Sequence, residues 1–206
     1  MGLQVGEPAV VDAKQLGELE FLSIEARTAI GSLPSDELDG LAARLLESDR
    51  PREAHVVTPF LLPIRQAVWW TCLCVWNSCR NNGTAVELSS LKAVLQWVCR
   101  PTAVNVENAA AAAKHAEQFS PLLPAGICAS AIELIGPLYS IEQLPDDGDE
   151  SNVTAIPTKH AYRAAKTLLG ASDFSIGLAK KRGQGSSSWQ LAQFGVDLAA
   201  GKIPWV

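Results

Sequence analysis

Cysteine and histidine are the residues of this chain best suited to nucleophilic, redox or metal chemistry, and their spacing speaks against all three. The cysteines are Cys72, Cys74, Cys79, Cys99 and Cys128, and no two form a Cys-x-x-Cys pair. Zinc sites and thioredoxin-like centres use that spacing because it turns two sulfurs toward one point. On a helix, Cys72 and Cys74 point about 200° apart, so they cannot share an ion unaided. Cys72 and Cys79 share a face but are separated by about 10.5 Å of rise, too far for a disulfide. The five are read as small buried hydrophobes. Met1 to Ala13 holds Glu7 and Asp12, with no basic start and no long apolar run. A signal peptide is therefore not expected, and the thiols are expected to be reduced in a cytoplasmic setting.

The histidines are His55, His115 and His160. A Cys–His dyad needs the two side chains close in space, and no motif here brings them together. Arg52, Glu53 and His55, near a helix start, are expected to be solvated. The run Lys180-Lys181-Arg182-Gly183-Gln184-Gly185 lacks the lysine and hydroxyl order of a phosphate-binding loop, and no strand precedes it. No catalytic residue, metal or cofactor is expected.

Two other groups remain. Arg65 lies one helical turn before Trp69, and Trp69, Cys72 or Leu73, and Trp76 continue the spacing. That pattern fits an aromatic pocket with Arg65 as an anion or cation–π partner; it also fits core packing, which is the expectation adopted. The second group is basic. Residues 1–158 hold 10 basic and 20 acidic side chains, whereas 159–206 hold 7 and 2. Lys159, Arg163 and Lys166 fall on one helix face, and Lys180, Lys181 and Arg182 extend it. This surface either pairs with the acidic body or docks an acidic protein partner.

The elements that carry these residues all read as helices. Of 206 residues, 48% are hydrophobic and 19% charged, a globular balance. No stretch alternates with period two, so an all-α fold is expected, a multi-helix bundle or array around a tryptophan-rich central helix. Pro63 opens that helix, and between Ala67 and Trp76 only Thr71 is conventionally polar, so it should be buried on nearly all sides. It is too short to span a bilayer. Ser35 is expected to cap a helix carrying Leu38, Leu41, Ala42, Leu45 and Leu46. Thr84 and Glu87 form a capping box, as do Ser187 and Gln190. Ala109 to Ala113 mark a helix running to about Phe119, and Pro124 opens another. A helix from Lys159 should stop at Gly170, with a short one at Asp173–Ala179. Residues 1–22 are read as an N-terminal arm and 23–206 as one helical domain. An exposed acidic loop is placed at 141–158, with Asp146, Asp147, Asp149 and Glu150 among its carboxylates.

The segment Leu62-Pro63-Ile64-Arg65-Gln66-Ala67-Val68-Trp69-Trp70-Thr71-Cys72-Leu73-Cys74 resembles the Leu-Pro-x-Arg-x-Ala-Val-Trp-Trp-x-Cys-Leu-Cys signature of a bacterial helical family, a domain of unknown function. Trp97-Val98-Cys99-Arg100-Pro101 and the ending from Gly195 to Gly201, then Trp205, are similar to two further steps of its pattern. Around 136–155 the chain departs from it. The resemblance implies a helical domain and a bacterial source, and no activity.

The function expected is therefore a non-enzymatic protein-interaction module, an adaptor or accessory factor of a bacterial multi-gene system, with Lys159, Arg163, Lys166, Lys180, Lys181 and Arg182 as its partner-binding residues. The alternative is an enzyme or small-ligand receptor with a pocket at Arg65 and Trp69. With a net charge of −5, no nucleic-acid partner is expected. The sequence leaves the partner and the oligomeric state open.

Overall fold

The computed structural model describes residues 12–34, 37–38, 40–136 and 158–204. Among them are ten helices and no strand, as an all-α sequence requires. The helices are α1 (Ala13–Gly17), α2 (Ile24–Gly31), α3 (Leu41–Glu47), α4 (Pro51–Leu61), α5 (Ile64–Cys79), α6 (Ala85–Cys99), α7 (Ala103–Phe119), α8 (Pro124–Ile135), α9 (Thr158–Lys181) and α10 (Ser188–Ala199). The acidic residues from 141 to 157, and Ser35 and Asp36, lie outside the described residues.

Helix starts follow local chemistry. Thr84 and Glu87 close the expected capping box of α6, with Glu87 Oε2 accepting from the Thr84 N–H at 2.7 Å. Ser187 Oγ accepts from the N–H of Gln190 to start α10, and Gly201, at φ 69°, follows its end. Pro51 and Pro124 sit in the first turns of α4 and α8, where a missing N–H costs nothing. The leucine stripe expected after Ser35 is buried at Leu38, Leu41, Ala42 and Leu45, but α3 begins only at Leu41. Gly40, in the left-handed region at φ 72°, sets that start.

Helix α5 packs against α4, α6, α8, α9 and α10. Its core faces carry Val68, Trp70, Cys72, Cys74 and Val75, all buried. One face escapes: Trp69 and Leu73 are half-buried, and Trp76 is 47% exposed. The expectation of burial on nearly all sides thus fails along one stripe at helical spacing. Trp70 is the anchor, with its indole N–H donating to the carbonyl of Leu191 at 2.7 Å. Gly195 packs beside it, since a Cβ there would stand 2.3 Å from Thr58 Cγ2. At the chain start, Leu16, Leu19 and Leu22 join the common core.

Helix α9 runs unbroken for 24 residues, so the expected stop at Gly170 is corrected. Glycine disfavours a helix interior by only about 1 kcal/mol. The buried series Ala161, Ala164, Ala165, Leu168, Leu169, Ala171, Ser172, Ser175 and Ala179 continues across it, and burial of that face outweighs the local preference.

Candidate functional site

Helices α4 and α9 meet at a cluster of four polar side chains. Arg52 and His55 are three apart on α4, hence on one face, and Ser172 and Asp173 are neighbours on α9. His55 is fully buried, with its ring centroid 5.5 Å from that of Trp70. Its solvation, expected from its place near the helix start, is corrected: residues 54–60 of α4 are all buried. Nε2 of His55 lies 3.1 Å from Ser172 Oγ and 3.2 Å from Asp173 Oδ1. Ser172 Oγ donates to the carbonyl of Leu169 at 2.8 Å, so its lone pairs face the imidazole and Nε2 carries the proton. Arg52 closes the cluster from the solvent side, with Nη1 and Nη2 at 2.5 and 3.1 Å from the two Asp173 oxygens. Burial alone would raise the Asp173 carboxyl. Hydrogen bonds and charge from His55 and Arg52 outweigh it and hold the group at about 2.

Serine, histidine and aspartate invite comparison with a catalytic triad, and the wiring differs. A triad places the nucleophile on one imidazole nitrogen and the carboxylate on the other, so that a proton can be taken and the resulting cation stabilised. Here both oxygens face Nε2, and Nδ1 is buried without a partner. The serine proton is committed to a backbone carbonyl. The arrangement joins two helices; it does not generate an alkoxide.

A second cluster involves Arg182, which the sequence places with the solvent-facing cations. Its Nη2 contacts Glu87 Oε2 at 2.8 Å and its Nη1 donates to the carbonyl of Ser78 at 3.0 Å. Glu87 is 1% exposed. Burial raises its carboxyl, but the bonds from Arg182 and Thr84 prevail and lower it. The Gln184 carboxamide, with its nitrogen inward, donates to the carbonyls of Asn77 and Ser78 at 2.9 and 3.0 Å. The turn after α9 thereby supplies donors to the last turn of α5, whose carbonyls have no intrahelical partner. Nearby Cys79 is pushed up to about 11 by burial and by Glu87.

Arg65 serves the end of α6 in a similar way: Nε donates to the carbonyl of Val98 at 2.6 Å and Nη2 to that of Cys99 at 3.4 Å. Trp69, one turn on, is half-buried, and its indole N–H has no acceptor. Among the cavities lined by described residues are two. One, of about 580 Å³, lies between α7 and α8 and includes Ala110, Lys114, Glu117, Gly126 and Glu133. The other, of about 330 Å³, is apolar and lies among α3, α4 and α10. Neither includes Arg65 or Trp69. Among the described residues no group of three or more side chains could hold a metal ion, and no helix is long and apolar enough to cross a membrane. The five cysteines are free thiols.

The remaining cations stay outside. Lys159, Arg163, Lys166, Lys180 and Lys181 are all exposed on α9. None forms an ion pair among the described residues; Lys166 Nζ stands 5.8 Å from the Tyr162 ring centre.

These features define a helical protein whose polar clusters tie helices together. The chain belongs to DUF6931, a family of unknown function, whose model matches residues 41–174. That range holds the Arg52–His55–Ser172–Asp173 cluster, Arg65, the tryptophans of α5 and the first three cations of α9. It stops short of Lys180, Lys181, Arg182 and α10. No curated protein and no solved structure matches the chain.

Proposed function

We propose that this chain is a non-enzymatic protein-interaction module, a cytoplasmic adaptor or accessory factor of a bacterial multi-gene system, and that it docks an acidic protein partner on the outer face of α9. The observation that carries the reading is an asymmetry in how the charges are used. Arg52, Arg65 and Arg182 are engaged within the fold. The cations of α9 point to water, and the single carboxylate of that helix, Asp173, is already bound by Arg52. A surface of one sign without internal partners steers and orients a complementary protein. Arg182 is withdrawn from the docking set because its guanidinium belongs to Glu87. The ligand-pocket reading loses its main support, since Arg65 is directed at the α6 carbonyls.

The test is affinity purification of tagged wild type and of the triple variant Lys159→Glu, Arg163→Glu, Lys166→Glu from the source cells. The proposal expects a protein retained by the wild type and lost from the variant, both baits being folded. Equal retention by the two would contradict it.

A further inference from the structure

The solvent face of α9 is more than a row of cations. Positions 159, 163, 166, 170, 174, 177 and 181 recur at three and four residues and lie on one side of the helix. From Lys159 to Lys181 this face runs about 33 Å. About two thirds of the way along it stands Phe174, 43% exposed. On the same face, one turn to either side, are Gly170 and Gly177.

These two differ from the other glycines in helix interiors among the described residues. Gly17 and Gly31 are the last residues of α1 and α2, and the two other glycines in helix interiors, Gly126 and Gly195, are each required by packing. A Cβ at Gly126 would come within 2.5 Å of Ala116 Cβ, and one at Gly195 within 2.3 Å of Thr58 Cγ2. A Cβ at Gly170 or Gly177 would meet nothing within 4 Å. Neither has a positive φ. Glycine is the poorest residue but proline for a helix interior, so folding alone favours alanine at both positions. The absent side chains instead leave Phe174 standing between two bare stretches of backbone, where another helix can approach closely.

We infer that the outer face of α9 seats one helix of an acidic protein partner, with an apolar side chain of that helix packed on Phe174 between Gly170 and Gly177 and its carboxylates reaching the lysines and arginine on either side. This inference rests on the proposed docking role of α9 and adds the occupant's form. Charge complementarity commits the choice. Lys159, Arg163 and Lys166 lie on the N-terminal side of the aromatic step, Lys180 and Lys181 on the other, and the helix's only carboxylate is held by Arg52. An apolar anchor with charged flanks is the pattern of helix-in-groove recognition.

The test uses two labelled helical peptides of about six turns. Both carry glutamates toward their ends on one face; one has leucine at the centre of that face, the other glutamine. Fluorescence anisotropy reads binding to the full chain. The leucine peptide is expected to bind about tenfold more tightly, the effect of burying one aliphatic side chain. Phe174→Ala should abolish that difference. The double variant Gly170→Ala, Gly177→Ala should melt higher than wild type and yet bind the leucine peptide more weakly, a pair of results that a purely structural role for the glycines does not give. Equal binding of the two peptides, or unchanged affinity in the glycine variant, overturns the inference. So does preferential binding to phosphatidylglycerol vesicles or duplex DNA. If Lys159→Glu, Arg163→Glu, Lys166→Glu abolishes binding of both peptides while Phe174→Ala changes nothing, the basic docking face stands and the seated helix does not. If the charge reversal has no effect, the docking face itself is wrong.

Discussion

Arg52 and Asp173 meet in a bidentate pair, 121 residues apart in sequence, at 2.5 and 3.1 Å. Behind them the same carboxylate meets the buried His55. The pair joins α4 to α9 and occupies the one carboxylate that would otherwise interrupt the basic face of α9. Its two partners differ in exposure: the Arg52 side chain is 49% exposed and that of Asp173 28%. Removing the arginine should therefore cost little, about 0–1 kcal/mol. Asp173→Asn exchanges the charged acceptor of the buried imidazole and of Arg52 for a neutral amide with one acceptor oxygen fewer, and should cost about 1–3 kcal/mol at neutral pH.

The same group gives a pH signature. The Asp173 carboxyl is held at about 2 in the folded chain, against about 3.9 for a free aspartate. Between those values the unfolded state binds the proton more readily than the folded one. The stability this group contributes is complete above about pH 4 and fades as pH falls toward about 2. Thermal melting should show the gap between wild type and Asp173→Asn narrowing over that window. A gap that is constant from neutral pH down to about 2 would contradict the assignment.

The tryptophans of α5 should separate in a mutational series. Trp70 is fully buried and its N–H is bonded to Leu191. Trp70→Ala should destabilise by about 3–5 kcal/mol. Trp76 is 47% exposed, and its replacement by alanine should stay within about 0.5 kcal/mol. Trp69, half-buried, should fall between them. Denaturant unfolding of the three variants gives the order, and a Trp76 variant as damaged as the Trp70 one would show that the exposed stripe is misplaced.

Glu87 and Arg182 form the most buried ion pair described. Truncating either partner leaves the other poorly paired away from water, and Glu87→Ala or Arg182→Ala should cost about 3–5 kcal/mol. Lysine at 182 should not restore the loss, because the guanidinium serves Glu87 and the Ser78 carbonyl with two different nitrogens. Melting curves near those of wild type would place Arg182 back on the open surface.

Much of the fold was legible wherever the deciding interaction is local. Thr84 with Glu87, Pro51, Pro63 and Pro124 set helix starts through groups within three residues of themselves, and Gly201 marks an end in the same way. What could not be read depends on partners distant in sequence. Gly170 carries a local stop signal that the buried face of α9 overrides. His55 sits beside charged residues, but its surroundings are Trp70, Ser172 and Asp173; only the apolar run Val56, Val57 and Phe60 around it hinted at burial. Arg182 resembles its lysine neighbours in charge, and the buried carboxylate 95 positions away that claims it has no sequence signature. The five outward cations were legible because a solvated helix face needs no partner to define it.

The central claim, that α9 docks an acidic protein, is tested most directly by calorimetric titration of the captured partner against wild type and the triple charge-reversal variant at low and high salt. The account predicts a Kd that weakens steeply between about 0.05 and 0.5 M salt as screening lengths shrink, binding lost in Lys159→Glu, Arg163→Glu, Lys166→Glu, and a Tm nearly equal to that of wild type. Binding that ignores salt, a variant that still binds fully, or a variant that melts far below wild type would contradict it.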